Sequence, residues 1–270
     1  MRRTTAVLSS LGMMVLLAWP GSAQAAPALP SSMASIGDSI TRAYDVCCWY
    51  GDHPGNSWST GGTSYDGVSS QYERIRSLDS SIAGHNYNDA VTGARMSAGP
   101  TQAQNAVNQQ VQYVTIELGA NDLCTSSPST MTSVSTFRDE TRQTLATLFA
   151  GLPARAHVSV SSIPDIYQLW QIYHTSSTAQ VVWSTASICQ SMLSPYRTET
   201  DRQLVRQRNI DFNTVLSQEC AAYALCKFDG NAVFNYAFTR DNVSKLDYFH
   251  PSLSGQAALA RVSWNSSWWA

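Results

Sequence analysis

Short apolar runs that end in glycine or a small polar residue recur along the chain, and they constrain its fold most strongly. Three of these runs, 33–36, 87–91 and 111–118, are predicted to be β-strands. The run at 111–118 reads V-Q-Y-V-T-I-E-L, and such alternation is typical of a strand. Further strands are predicted at 157–163 and 210–212.

Segments with apolar residues at helical spacing lie between these runs. The predicted helices span 72–82, 133–149, 195–207 and 254–268. The segment 133–149 has the clearest pattern, and Gly151 and Pro153 follow it as helix-ending residues. Strands that alternate with helices predict an α/β fold, a three-layer α/β/α sandwich with a mostly parallel sheet and helices on both of its faces.

The N-terminus has the pattern of an export signal. Arg2 and Arg3 precede an apolar stretch at 11–19, and the small-residue sequence A-Q-A follows at 23–25. This pattern predicts a secretory signal peptide at 1–25 and one mature domain at 26–270. The alternative, an N-terminal anchor, would need about 20 apolar residues to span a membrane. No later segment is that apolar, so we expect a secreted protein without stable membrane insertion.

Composition excludes two further classes of protein. Hydrophobic residues make up 43% of the chain, and aromatic residues 10%, which excludes general disorder. The formal net charge is −2 and there is no basic cluster, so we expect no nucleic-acid partner.

Six cysteines in an exported chain favour disulfide bonds. Cys220 and Cys226 are predicted to form a local pair, because the short segment between them is able to close. Cys124 and Cys189 are the second predicted pair.

The remaining cysteines, Cys47 and Cys48, are adjacent. Adjacent cysteines rarely bridge each other, so each is expected to pair with a distant partner. Zinc binding is the competing interpretation of the six cysteines. The chain has no Cys-x-x-Cys and no two histidines at ligand spacing, which argues against a zinc site.

Small polar motifs follow three of the predicted strands directly. These are G-D-S at 37–39, T-G at 92–93 and G-A-N-D at 119–122. Ligand sites of parallel sheets lie outside the carboxyl ends of the strands, so all three motifs fall at the predicted site.

Ser39 is the candidate nucleophile at this edge, although a serine in such a turn, seen alone, is better explained by helix capping. His250 is the candidate base. Unlike the other four histidines it follows an aspartate, Asp247, by three residues, so that one loop carries the imidazole and the carboxylate that orients it. Asp247 as a helix cap is the alternative, but Pro251 and Ser252 are better placed to start the last helix.

Two further residues are candidate donors to an oxyanion. Gly93 would offer its backbone N–H, since a side chain there would crowd the oxyanion, and Asn121 would offer its side-chain amide. Each is also an ordinary turn residue. Their joint position at the strand ends favours the functional interpretation. Asp122 is interpreted as structural, a cap for the segment that starts at Leu123.

No G-x-S-x-G motif is present, which argues against an ordinary α/β-hydrolase. The motifs instead resemble the four blocks of the SGNH hydrolases, also called GDSL lipases and esterases. The blocks are G-D-S-I at 37–40, Gly93, G-A-N-D at 119–122 and D-Y-F-H at 247–250. The resemblance runs from 33 to about 261. The signal, the cysteines and the tryptophan-containing loop resemble the secreted actinobacterial branch.

This resemblance implies a flavodoxin-like SGNH hydrolase fold and a catalytic triad of Ser39, Asp247 and His250. It implies an oxyanion hole built from the N–H groups of Ser39 and Gly93 and the amide of Asn121. The implied reaction is two-step ester hydrolysis through an acyl-serine, with no metal or organic cofactor. The expected partner is a small-molecule or lipid ester, and the expected form is a monomer.

A secreted carboxylesterase or lipase is the leading functional hypothesis. A phospholipase or a polysaccharide acetylesterase would use the same triad. A catalytically silent lipid- or glycan-binding module is the alternative from another class, but it would have no reason to keep the triad together with Asn121.

Two aromatic clusters leave further questions open. The loop at 47–65 contains two tryptophans and two tyrosines, which either wall an acyl or aryl pocket or only pack the loop. Trp264 and Trp268 are expected to pack on the sheet rather than to anchor the protein at a membrane surface.

Overall fold

The computed structural model describes Met1 and residues 26–270. The predicted signal peptide therefore lies, apart from Met1, outside the described residues.

Strands and helices alternate along most of the described chain. The first half contains β1 (Met33–Gly37), α1 (Gln71–Leu78), β2 (Asn86–Asn88), α2 (Gly99–Asn108), β3 (Tyr113–Glu117), α3 (Ala120–Leu123) and α4 (Val134–Gly151). The second half contains β4 (His157–Val160), α5 (Ile166–Tyr173), α6 (Ser177–Thr185), α7 (Gln190–Leu193), α8 (Glu199–Cys220), β5 (Cys226–Phe228) and α9 (Leu253–Asn265).

The five strands form one sheet in the order β2-β1-β3-β4-β5, and all of its neighbouring strands are parallel. In the central pair, Gly37 of β1 lies in register with Glu117 of β3. The chain leaves both strands at the same edge, so the segments after Gly37 and after Glu117 are brought side by side. The predicted α/β architecture with a parallel sheet is confirmed.

Helices cover both faces of the sheet. Met33 and Tyr113 pack against Ile75 of α1 and the C-terminal Trp268, whereas the adjacent strand residue Val114 belongs to the larger cluster that includes α4 and α8. Successive side chains of a strand point to opposite faces, so these two clusters lie on opposite sides. Every residue of β1 and β3 is buried, as expected for central strands covered on both faces.

Ser133 and Ser252 begin two of the predicted helices. Each serine side chain accepts a backbone hydrogen bond in the first turn, at α4 and α9 respectively. Both residues are N-caps. Their side-chain oxygens stabilise the helix by accepting N–H groups of the first turn that have no partner within the helix.

The helix predicted at 195–207 is present from Glu199, but the prediction of a strand at 210–212 is wrong. One continuous helix, α8, runs from Glu199 through both 207 and 210–212 to Cys220. The alternation Ile210-Asp211-Phe212 fits a strand when seen alone, but the buried positions of α8 continue at helical spacing through Val215 and Leu216. The last strand of the sheet is β5 instead.

Two predicted disulfides are confirmed. Cys124 and Cys189 are joined with an Sγ–Sγ distance of 2.02 Å, and Cys220 and Cys226 with 2.05 Å. The expectation of distant partners for Cys47 and Cys48 is wrong. All six cysteines lie in the described part of the chain, the other four pair with each other, and these two thiols are free.

The C-terminal tryptophans pack on the sheet, as predicted. Trp264, Trp268 and Trp269 contact the cluster around Met33 and Tyr113. Among the described helices, none is long and apolar enough to cross a membrane.

Candidate active site

Ser39 lies in a run of turns directly after β1. The Asp38 carboxylate accepts the N–H of Ile40 at 2.9 Å, and the Ser39 carbonyl accepts the N–H of Tyr44 at 2.9 Å. Residues 39–45 form turns rather than an α-helix, so helix capping does not account for Ser39. The turns hold the hydroxyl at the carboxyl edge of the sheet.

Asp247 and His250 lie on the loop before α9, and this loop faces Ser39. The Ser39 hydroxyl lies 2.8 Å from His250 Nε2, although the two residues are 211 positions apart. His250 Nδ1 lies 2.5 Å from Asp247 Oδ2. The three predicted residues therefore form one continuous chain of hydrogen bonds.

The short spacing between Asp247 and His250 lets the aspartate shape its own loop. Asp247 Oδ1 accepts the backbone N–H groups of Phe249 at 2.9 Å and of His250 at 3.0 Å. Tyr248 turns the chain with a positive φ of 56°. The carboxylate thus fixes the backbone that carries the imidazole as well as the imidazole itself.

The environment of Asp247 keeps it ionised. Burial by itself would raise the pKa of this carboxyl. The hydrogen bond and charge of His250 and the two backbone N–H donors together outweigh burial, so the pKa of Asp247 is lowered. An ionised Asp247 accepts a hydrogen bond from the Nδ1–H of His250, which leaves the lone pair of Nε2 facing Ser39.

Two aromatic rings confine the imidazole. The rings of Tyr44 and Phe249 lie 5.0 Å and 4.9 Å from that of His250, tilted at 56° and perpendicular at 90°. They restrict rotation of His250 away from Ser39.

Asn121 lies on α3, which begins after a turn that requires glycine. Gly119 has φ of 132°, and a Cβ there would lie 2.6 Å from Ile163 Cδ1. Asn121 Nδ2 donates to the Ala94 carbonyl at 3.0 Å and to Asp38 Oδ2 at 3.3 Å. The amide therefore sits between the Ser39 turn and the loop after β2.

Gly93 lies on that loop, next to Ala94. Its φ of 81° favours glycine, and a Cβ would meet no protein atom within 4 Å. The need for glycine thus comes from the backbone conformation rather than from crowding by protein atoms. The N–H is one residue from the carbonyl that receives the Asn121 amide.

The prediction that Asp122 caps the segment from Leu123 is wrong in its detail, although the residue is structural. Asp122 lies inside α3 and is almost fully buried. Its carboxylate accepts the N–H of Met96 at 2.8 Å and the Thr132 hydroxyl at 2.6 Å. It therefore attaches the loop of Gly93 to the segment of Asn121.

Sequence reasoning missed three buried acids at this edge. Asp38 is fully buried, and burial raises its pKa to about 7. Glu117, the last residue of β3, is 1% exposed, and neither of its carboxyl oxygens has a hydrogen-bond partner. Burial raises the Glu117 pKa well above its ordinary value. Asp45, on the Ser39 turn, is also buried. The one available signal was the glutamate at 117, the only charged residue of the predicted strand 111–118.

A small apolar cavity of about 70 Å³ adjoins the triad. Its walls include Ile40, Ala120, Ile166, Leu169, Phe249 and Pro251. Four of these residues directly neighbour Ser39, Asn121 or His250 in the chain, which places the cavity beside the reacting groups.

The aromatic loop at 47–65 does not wall this cavity. Trp58 is buried in the core, whereas Trp49, Tyr50 and Tyr65 are exposed. None of these four rings lines the cavity beside the triad. Trp58 therefore contributes to core packing, and the other three aromatic side chains face solvent.

Comparison with known proteins gives the family. The profile of the family described as GDSL-like Lipase/Acylhydrolase matches residues 33–262. The chain belongs to this family. It is therefore a hydrolase of the carboxylic ester type, and the resemblance seen in the four sequence blocks is confirmed. No curated protein matches the chain in a sequence comparison.

Solved structures share the fold of this GDSL-like hydrolase at low sequence identity. TesA is 15% identical with a TM-score of 0.52, and the match covers 87% of this chain and 97% of TesA. The acetyl xylan esterase AlAXEase is 13% identical with a TM-score of 0.53, covering 86% and 98%. A putative lipolytic protein of the G-D-S-L family from Desulfitobacterium hafniense DCB-2 is 11% identical with a TM-score of 0.52, covering 88% and 99%.

Proposed function

We propose that this GDSL-like hydrolase is a secreted serine esterase that cleaves acyl esters through an acyl-Ser39 intermediate. The observation that carries the proposal is the hydrogen-bond chain from Ser39 through His250 to Asp247. A nucleophile, a base and an orienting acid at these distances form the arrangement that acyl transfer needs.

In the first step, Ser39 Oγ attacks the ester carbonyl while His250 Nε2 takes the hydroxyl proton. The imidazolium then gives this proton to the leaving alkoxide, and the acyl group stays on Ser39. A water molecule repeats the sequence and releases the carboxylic acid. Asp247 remains ionised and stabilises the imidazolium in both steps.

The N–H groups of Ser39 and Gly93 and the Asn121 amide would stabilise the oxyanion. Both protons of the Asn121 amide have acceptors before substrate binds. The bond to Asp38 is the longer of the two, and we infer that the amide gives up this bond when the oxyanion forms. The bond to Ala94 then keeps the amide in place.

The apolar cavity supports a preference for esters with short chains. Its volume of about 70 Å³ accommodates roughly four or five atoms of an acyl or alkyl chain. We therefore propose a carboxylesterase with a short-chain preference. All groups of the proposed site come from one chain, so the reaction would not need a residue from a second copy; we propose a monomeric enzyme that acts on a small ester.

Secretion is part of the proposal. The N-terminal segment 1–25 has the pattern of a signal peptide, and residues 26–270 would form the mature domain. Two disulfides in the described chain support an oxidising compartment. Mass determination of the protein from the culture medium would locate the cleavage site.

The decisive experiment measures hydrolysis of p-nitrophenyl esters from acetyl to palmitoyl by the wild type and by Ser39→Ala. We expect the wild type to prefer the short esters and the variant to lose about 10⁴-fold or more in turnover. A fluorophosphonate probe should label the wild type alone. Ser69→Ala, a change at an exposed serine outside the site, serves as the matched control.

Retention of activity and labelling in Ser39→Ala would contradict the assignment of the nucleophile. A wild type that is inert on every ester and unlabelled by the probe would support the catalytically silent binding module instead. Activity restricted to phospholipids or acetylated polysaccharides would change the proposed substrate class but would leave the assignment of the triad intact.

A further inference from the structure

The helix α5 forms one wall of the apolar cavity beside the triad. Ile166, Leu169 and Ile172 line the cavity and are spaced three residues apart. This spacing places the three side chains on one side of the helix. The volume of the cavity therefore depends on where α5 lies.

A second side of α5 is joined to α8 by polar contacts. Arg206 Nε donates to Oδ2 of Asp165, the N-cap of α5, at 2.9 Å. The Tyr167 hydroxyl donates to Glu199 Oε1 at 2.6 Å. Because Asp165 is only 5% exposed, loss of Arg206 would leave a buried charge unpaired. These bonds fix the beginning of α5 to α8.

Arg202 of α8 is buried and holds the middle of α5. Its guanidinium donates to the backbone carbonyls of Ser194 at 2.9 Å and of Arg197 at 2.5 Å. The guanidinium carbon lies 3.5 Å from the ring centroid of Trp170. A cation stacked on an aromatic ring away from water is a strong contact. Arg202 thus attaches Trp170 to the segment between α7 and α8.

The residues of α8 that contact α5 lie on one face of their helix. Asn209 provides a fourth contact, because its Oδ1 accepts the N–H of Ile166 at 3.4 Å. The four contacts come from Glu199, Arg202, Arg206 and Asn209, at steps of three, four and three residues along α8. Side chains at this spacing share a helix face. These four residues are termed the α8 stripe.

We propose that the α8 stripe sets the longest acyl chain that the enzyme accepts, because it holds α5 against the cavity. Arg202 and Trp170 are positioning residues in this role, since neither side chain lines the cavity. The inference rests on the proposed function, in which the acyl chain of the ester enters this cavity.

The close packing of protein interiors gives the physical reason. A helix in such packing keeps its place while the contacts on its other side persist. Without the stack of Arg202 on Trp170, α5 is able to move away from the triad, and the cavity of about 70 Å³ lengthens. One methylene group accommodated in an apolar pocket changes the rate by about 10-fold or more. Esters with longer chains should therefore gain most.

Two substitutions break the stack from opposite sides. Trp170→Leu removes the ring, and Arg202→Lys keeps the charge but loses the planar group that stacks. We expect each to raise the octanoyl-to-butanoyl ratio of kcat/KM on p-nitrophenyl esters by about 10-fold or more, mainly through a lower KM for the octanoyl ester. Trp170→Phe keeps a ring for the guanidinium, so it should retain a ratio close to that of the wild type.

Arg138→Leu is the matched control. Arg138 forms an ion pair with Glu219 at 2.7 Å, and this pair ties α8 to α4 rather than to α5. The variant should lower the melting temperature without changing the octanoyl-to-butanoyl ratio. Comparison with Arg202→Lys therefore separates the position of α5 from the general stability of α8.

Two further measurements cover variants that fold poorly. Tyr167→Phe removes only the hydrogen bond to Glu199, and it should raise the ratio by about 2-fold or more. Amide hydrogen exchange of the segment 166–173 does not depend on a substrate. Exchange there should be faster in Trp170→Leu and Arg202→Lys than in the wild type, and unchanged in Arg138→Leu.

The outcomes distinguish this inference from the proposed function. An inactive wild type, or Ser39→Ala as active as the wild type, overturns the proposed function. A wild type that depends on Ser39 but has the same chain-length ratio as Trp170→Leu and Arg202→Lys overturns only the role of the α8 stripe. An equal loss on all esters in these two variants also overturns it, because a contact needed only for folding would lower every rate alike.

Discussion

The amide nitrogen of Asn121 lies 3.3 Å from Asp38 Oδ2, although 83 positions separate the two residues in the chain. The neighbouring strands β1 and β3 are in register, and this alignment brings the residue before the nucleophile beside the amide. The second bond of the amide, to the Ala94 carbonyl at 3.0 Å, brings in the loop after β2. Asn121 is thus held by two segments that carry other groups of the site.

Removal of this amide tests the oxyanion hole. Asn121→Ala should keep the fold and lower kcat by about 10²- to 10³-fold, the usual loss for one oxyanion donor. Steady-state kinetics on a short p-nitrophenyl ester measure the loss. Asn105→Ala, on the exposed side of α2, is the control. Near-normal turnover in Asn121→Ala would contradict the assigned role.

The buried Glu117 predicts a dependence of stability on pH. Its pKa is raised in the folded protein, so the folded state keeps a proton that the unfolded state loses above about pH 4.5. Its contribution to stability is therefore complete below that pH and declines as the pH rises towards the folded pKa. Asp38 acts in the same direction, between its ordinary pKa and about 7.

Glu117→Gln removes this titration. The melting temperature of the variant, relative to the wild type, should therefore rise between pH 5 and pH 8. Thermal unfolding at several pH values measures the difference. Glu199→Gln alters an exposed glutamate whose pKa is lowered, and it should show no such gain. If the difference in melting temperature between Glu117→Gln and the wild type is the same at every pH, the prediction is contradicted.

The two disulfides should differ in how much they stabilise the protein. Cys124–Cys189 closes a separation of 65 residues and Cys220–Cys226 one of 6. From the entropy of loop closure in the unfolded chain, their removal should cost about 4 and about 2 kcal/mol of unfolding free energy. Denaturant unfolding of the two double alanine variants measures both values. A larger loss for the short loop would refute this order.

The cavity beside the triad predicts how chain-length preference is set. Leu169→Trp should fill part of the cavity of about 70 Å³, because the indole is much larger than the leucine side chain. Hydrolysis of a butanoyl ester should fall about 10-fold relative to an acetyl ester. Leu204→Trp, on the exposed side of α8, should leave the ratio unchanged. If the ratio of butanoyl to acetyl ester hydrolysis is unchanged in Leu169→Trp, the acyl chain binds outside this cavity.

The sequence was sufficient for features that depend on local pattern. The alternating run at 111–118 and the capped helix at 133–149 were recognisable because side-chain period and end signals lie within a few residues. Asp247 and His250 were recognisable as a pair because they share one loop. Ser39 was assigned with them only because it follows a predicted strand at the same sheet edge as Gly93 and Asn121.

The helix α8 shows where local pattern fails. The short segment I-D-F at 210–212 is compatible with a strand or with a helix, and the choice depends on which face is buried against α4 and the sheet. The free thiols of Cys47 and Cys48 are a similar case, since pairing depends on which cysteines the fold brings together.

The sequence by itself determined the alternation of strands and helices, the parallel sheet and the residues at its carboxyl edge, because each of these follows from periodicity and short motifs. The tertiary structure alone decided the surroundings of the triad. Burial raises the pKa values of Asp38, Asp45 and Glu117, and burial is set by segments that are distant in the chain. For the same reason only the folded protein shows that Asp45, Asp247 and His250 lie together, with a side-chain oxygen or nitrogen of each within 4.8 Å of the other two.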